Sequence, residues 1–98
     1  MIDKKYRRAL TEVHLIIQMM GEEEINKIPK DLLLFINKNK DNNYMPQLDD
    51  VPIKDMKLLP ETKGLLGFFY AKYWSKNAED KIKFIELLKQ NEYKIQQG

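Results

Sequence analysis

Cysteine is absent from this 98-residue sequence, and histidine and serine each occur once, as His14 and Ser75. Disulfides and thiolate chemistry are therefore excluded. The one serine lies in a predicted turn and not in a known nucleophile motif. No cluster of histidine, cysteine and carboxylate residues has the spacing of metal ligands. The sequence also has no glycine-rich phosphate loop. We expect a protein that is not an enzyme, with no catalytic residues, no cofactor and no metal ion.

Long apolar runs and a strong excess of charge are also missing. Lys63 and Lys72 interrupt the most apolar stretch, which is far shorter than the roughly 20 residues that span a bilayer. The net charge of +2 is too small to indicate a nucleic-acid partner. Residues 1–5 lead into an amphipathic pattern without the apolar segment of a signal peptide. We predict a cytoplasmic protein that does not enter a membrane.

What the sequence does have is one segment, residues 60–74, that is apolar around most of a helical wheel. Pro60 is typical of the first turn of a helix, and large side chains follow on several faces. Gly64, Gly67 and Ala71 share a separate face of small residues. We expect another helix to pack closely against that face, and the alternative is a small molecule lying against the bare backbone.

The first helix is predicted over residues 3–20, because apolar residues recur there at steps of three and four. Asp3 is the expected N-cap and Gly21 the expected end. Leu15 and Met19 lie away from this apolar seam as a pair one turn apart. Either the long central loop covers them, or they form a contact surface for a partner or a second copy of the chain.

The start of the same helix carries four cations, Lys4, Lys5, Arg7 and Arg8, where the helix dipole disfavours positive charge. One interpretation is a solvated cluster that pairs in part with acidic residues such as 22–24. The other is a set of phosphate contacts.

The remaining pattern predicts an all-α fold. We expect a short acidic turn at 22–27, a helix at Pro29–Asn39 with Phe35 on its inward face, and a last helix capped by Asn77. Residues 40–58 have no helical period but repeat apolar side chains, including Met45, so we expect an ordered loop with those side chains tucked down. The predicted architecture is a single domain over 1–98, a compact bundle of four to five helices around 60–74.

Five short segments carry a resemblance: Arg8–Val13, Ile28–Lys30, Phe35–Ile36 with Asn39, Leu59–Lys63, and Tyr70 with Tyr73. In this order and spacing they resemble a family of small uncharacterised helical proteins of Gram-positive bacteria. The resemblance implies a bacterial cytoplasmic protein without an assigned activity, and it carries over no site residues.

These observations favour a non-enzymatic protein-interaction or regulatory module that binds a protein partner or forms a homo-oligomer. Leu15 and Met19 are the candidate contact. The alternative is a nucleic-acid-binding accessory protein that uses Lys4, Lys5, Arg7 and Arg8, although nucleic acid is the less expected partner. A small-molecule site against Gly64 and Gly67 is a third hypothesis.

Overall fold

The computed structural model describes residues 3–48 and 55–97, and side chains as far as Leu88. Over these ranges the chain is helical and contains no strand, which confirms the predicted all-α class. The helices are α1 Lys4–Met20, α2 Glu22–Ile25, α3 Lys30–Asn39, α4 Pro60–Phe69 and α5 Ala78–Gln97, and a π-helical turn, Tyr70–Trp74, continues α4.

The chain divides into two compact units. The first, Met1–Leu48, contains α1, α2 and α3, and the second, Asp49–Gly98, contains α4, the π-helical turn and α5. The single domain over 1–98 and the packing of all other elements around 60–74 stay predictions.

In the first unit, α1 begins and ends as its capping residues predict. The Asp3 carboxylate accepts a hydrogen bond from the backbone N–H of Lys5 at 3.3 Å, and Gly21 ends the helix with φ 99°. The apolar seam of α1 is buried at Ala9, Leu10, Val13, Ile16 and Ile17. Two polar residues of the same helix, Thr11 and Glu12, are also buried.

Two apolar side chains of this unit lie where the sequence did not predict them. Phe35 was expected on the inward face of α3, but its side chain is 43% exposed, and only Ile36 is buried on this helix. Met45 was expected to tuck down, but it is 83% exposed. Both predictions are wrong, whereas Leu48 in the same loop segment is buried. Val51 and Ile53 fall outside the described residues.

In the second unit the helix predicted over 60–74 changes character after Phe69. The backbone N–H of Ser75 donates to the carbonyl of Tyr70 at 2.6 Å, the i→i+5 spacing of a π-helix. This wider turn brings Trp74 beside Phe69, with the rings edge to face and their centroids 6.1 Å apart. Both rings are buried.

The second unit is less enclosed than the sequence predicts. The sequence predicts that the large side chains of this helix are buried, but Phe68, adjacent to the buried Phe69, is 50% exposed. The N-terminus of α5 agrees with expectation, because the Asn77 side chain accepts a hydrogen bond from the backbone N–H of Asp80 at 2.8 Å. Tyr70 and Phe84 stack with centroids 4.2 Å apart.

Candidate functional site

The four cations of the basic cluster are all exposed on the first turns of α1. Three of them, Lys4, Arg7 and Arg8, line a polar groove of about 560 Å³, and Lys5 does not. The remaining lining residues are Asp3, Asp41, Asn43 and Tyr44. The groove is therefore mixed in charge rather than purely basic.

Arg7 makes bonds inside the first unit. Its Nε donates to the backbone carbonyl of Asn39 at 3.0 Å, and its Nη2 lies 3.5 Å from the carbonyl of Lys40. Carbonyls at the end of a helix lack intrahelical partners and carry partial negative charge. Arg7 thus caps the C-terminus of α3 and ties that end to the start of α1.

Arg8 is paired as well. Its Nε lies 3.7 Å from a carboxylate oxygen of Asp41, and its guanidinium carbon is 5.5 Å from the centre of the Tyr44 ring. Both partners belong to the segment that follows α3. The sequence predicts pairing of the cluster with acidic residues such as 22–24, but the acidic partner of Arg8 is Asp41, and Glu24 pairs with Lys27.

Thr11 and Asp41 fasten the start of that segment to α1. The backbone N–H of Asp41 donates to Thr11 Oγ1 at 2.8 Å and lies 3.2 Å from the carbonyl of Arg7. The Thr11 hydroxyl lies within donating distance of the carbonyls of Asp41 and Arg7, at 3.0 and 3.1 Å. A buried hydroxyl on the polar side of α1 therefore satisfies backbone groups of a segment 30 residues away.

Glu12, the residue after Thr11, forms a second link between α1 and this segment, to Tyr44. Glu12 is only 1% exposed, and its carboxylate accepts a hydrogen bond from the Tyr44 hydroxyl at 2.6 Å. Burial, the hydrogen bond to Glu12 and the charge of Glu12 together raise the pKa of Tyr44 to about 12, while the charge of Arg8 opposes the rise. The pair holds the segment against α1 through groups that are charged or polar.

The two residues of the predicted contact pair on α1 differ in exposure. Met19 is exposed, whereas Leu15 is half-buried. Met19 alone therefore offers a large apolar surface to a partner.

The more prominent apolar surface is the outward face of α3, which we define as Asp31, Leu34, Phe35 and Lys38. Leu34 is 66% exposed and Phe35 43% exposed, and both charged residues are exposed beside them. This face was not predicted from the sequence. A usable signal was present, because residues 32–36 are five consecutive apolar residues, and successive residues are about 100° apart around a helix. They cannot all point inward.

Leu34 also lies at the edge of an apolar groove of about 270 Å³ between α1 and α3. Its other lining residues are His14, Ile17, Gln18, Ile25, Leu33, Ile36 and Asn37. Burial, together with the positive charge of Lys40, lowers the pKa of His14. The outward face of α3 therefore continues into a concave surface.

In the second unit, the face of Gly64 and Gly67 is open. A Cβ atom placed on either glycine would meet nothing within 4 Å in the described part of the chain, so the predicted close approach of another helix is wrong. A groove of about 440 Å³ lies there instead, and its lining is mainly apolar. The lining residues are Pro60, Lys63, Gly64, Gly67, Phe68, Ile85 and Leu88.

Within residues 3–48 and 55–97, no three histidine or acidic side chains lie close enough to hold a metal ion. The helices of those ranges include none with the length and apolar character needed to cross a bilayer. Comparison with protein-family models, curated proteins and solved structures gave no match. The resemblance to a Gram-positive family therefore stays a prediction.

Proposed function

We propose that this chain is a non-enzymatic protein-interaction module of the bacterial cytoplasm, and that the outward face of α3 is its contact surface. The exposure of Leu34 and Phe35 carries this proposal. A single exposed apolar side chain is ordinary on a protein surface, but adjacent large ones next to an apolar groove are typical of binding surfaces.

The flanking groups support the same proposal. Interfaces combine an apolar centre with a polar rim, and Leu34 and Phe35 lie between Asp31 and Lys38 along α3. The i, i+3, i+4, i+7 spacing of the four residues places them on one face of α3. Met19 on α1 is a further exposed apolar residue of this unit, and half-buried Leu15 contributes less.

The buried polar network supports a non-enzymatic role. Glu12 and Tyr44 bond to each other, and Thr11 bonds to the backbone of Asp41. Holding the loop segment against α1 accounts for these groups without a substrate.

Affinity capture from a bacterial lysate tests the proposal. The wild-type chain is compared with a Leu34→Glu, Phe35→Glu variant, and a Met45→Glu variant serves as the control because Met45 is even more exposed. We expect at least one protein to be retained by the wild type and by Met45→Glu, and to fall at least about tenfold with the double variant. Identical retention by all three, with unchanged circular dichroism, would contradict it.

The second candidate is nucleic-acid binding, which is favoured by Lys4, Arg7 and Arg8 lining one groove. The bonds of Arg7 and Arg8 to residues 39–41 compete with phosphate contacts. Lys4 and Lys5 are therefore the cations to neutralise. If nucleic acid binds here, a Lys4→Gln, Lys5→Gln variant should weaken the binding and reduce its salt dependence. Flat titrations with single-stranded and duplex DNA and RNA at low salt would exclude this candidate.

A further inference from the structure

The outward face of α3 has an internal symmetry. Leu34 and Phe35 flank the midpoint of the face, and Asp31 and Lys38 lie equally far from that midpoint, each about 5 Å along the axis. The two halves of the face differ in the sign of their charge. A second copy of α3, turned end to end, would therefore place an acidic group opposite each basic group.

We propose that a second copy of this chain docks on this face, with the two α3 helices antiparallel across a two-fold axis between Leu34 and Phe35. This inference rests on the proposed function and names its partner. In such an isologous contact every pairing occurs twice. Asp31 faces Lys38 of the second copy, and Leu34 faces Phe35 of the second copy.

The charges of this face are available for that contact. Neither Asp31 nor Lys38 takes part in an ion pair among the parts of the chain that are described. Each also favours the α3 dipole, because Asp31 is in the first turn and Lys38 in the last. That local role would explain both charges without a dimer, so the test must separate folding of α3 from pairing between copies.

The size of the face sets the strength of the contact. A helix of ten residues is about 15 Å long, so one helix pair buries less than the roughly 1,200 Å² of a stable interface. The dimer is therefore expected to be transient and weaker than a stable complex.

Sedimentation equilibrium over a concentration range up to about 1 mM tests the pairing, with charge variants as probes. In a dimer of the Asp31→Lys variant, two positive charges face each other at both ends of the helix pair. In a dimer of the Lys38→Asp variant, two negative charges face each other at both ends. We expect each variant to self-associate at least about tenfold more weakly than the wild type. An equimolar mixture of the two variants should associate as strongly as the wild type, because every facing pair is then of opposite charge.

The mixture is the decisive arm, because loss of α3 folding in either variant could not be rescued by the other. The double variant Asp31→Lys, Lys38→Asp provides a second arm and should again self-associate. Wild-type protein that remains monomeric at about 1 mM, or a mixture no stronger than its components, would overturn the dimer. The capture experiment tests the proposed function separately. If the wild type retains a different protein from the lysate and the Leu34→Glu, Phe35→Glu variant does not, the proposed function stands even without the dimer.

Discussion

The hydroxyl of Tyr44 lies 2.6 Å from the carboxylate of Glu12, and so joins the segment after α3 to a buried acidic group of α1. Replacing Tyr44 by Phe leaves that carboxylate without one of its donors. A hydrogen bond to a charged group contributes about 1.5–3 kcal/mol, and we expect urea denaturation to show a loss of that size.

Tyr6→Phe is the matched control for this variant. Tyr6 is half-buried on the same unit, and its hydroxyl makes no hydrogen bond to the described residues. Its removal should change the free energy of unfolding by less than about 0.5 kcal/mol. Equal losses for Tyr44→Phe and Tyr6→Phe would contradict the role assigned to the Glu12 bond.

The raised pKa of Tyr44 predicts a dependence of stability on alkaline pH. The folded protein holds the phenolic proton to about pH 12, whereas the ordinary pKa is 10.0. The protonated Tyr44 therefore contributes its full share to the free energy of unfolding below about pH 10, and this contribution is lost as the pH rises towards 12. We expect the stability difference between wild type and Tyr44→Phe to shrink over that interval. A difference that stays constant between about pH 9 and pH 11.5 would contradict this prediction.

Substitution by alanine should stabilise the protein at two of its glycines, Gly64 and Gly67, and destabilise it at Gly21. Gly64 and Gly67 are helical and have open space at the Cβ position, so Gly64→Ala and Gly67→Ala should each stabilise by up to about 1 kcal/mol. Gly21 has φ 99°, a conformation that alanine rarely adopts, so Gly21→Ala should cost about 1–3 kcal/mol. Thermal unfolding measures all three, and destabilisation by alanine at Gly64 and Gly67 would indicate that this face is covered.

Two adjacent phenylalanines of α4 provide a matched pair. Phe69 is 2% exposed and contacts the Trp74 ring, so Phe69→Ala should destabilise by about 3–5 kcal/mol. Phe68 is half-exposed, and Phe68→Ala should cost about 1 kcal/mol or less, including its contact with Lys72. Chemical denaturation of the two variants checks this, and equal costs would mean that the burial pattern of α4 is wrong.

The features that the sequence predicted correctly depend on local chemistry. The ends of α1 and the start of α5 lie where Asp3, Gly21 and Asn77 predict them. A helix end is set by side chains or backbone conformations within about three residues of it. The buried seam of α1 follows from the spacing of its apolar residues. Such signals require no knowledge of distant parts of the chain.

The features that the sequence did not predict depend on partners far away in the chain. Glu12 and Tyr44 are separated by 32 positions, and neither residue type alone indicates burial. For Phe35 the periodicity gave no answer, because the apolar run of α3 covers the whole circumference of the helix. The π-helical turn at Tyr70–Trp74 has no local sequence signal, and it places Trp74 beside Phe69.

The proposed contact surface likewise emerged only with the fold. Of the residues singled out beforehand, Met19 is exposed and Leu15 is half-buried, while Arg7 and Arg8 bond within the first unit. The exposure of Leu34 and Phe35 could be recognised only once Ile36 was known to define the buried side of α3.

The central claim, that the chain associates through the outward face of α3, is tested most directly by NMR spectra of the ¹⁵N-labelled wild type at increasing concentration. We predict that the amide signals that shift with concentration belong mainly to residues 31–38. Signals that do not move up to about 1 mM, or that move instead around the exposed Ile82 of α5, would contradict the account.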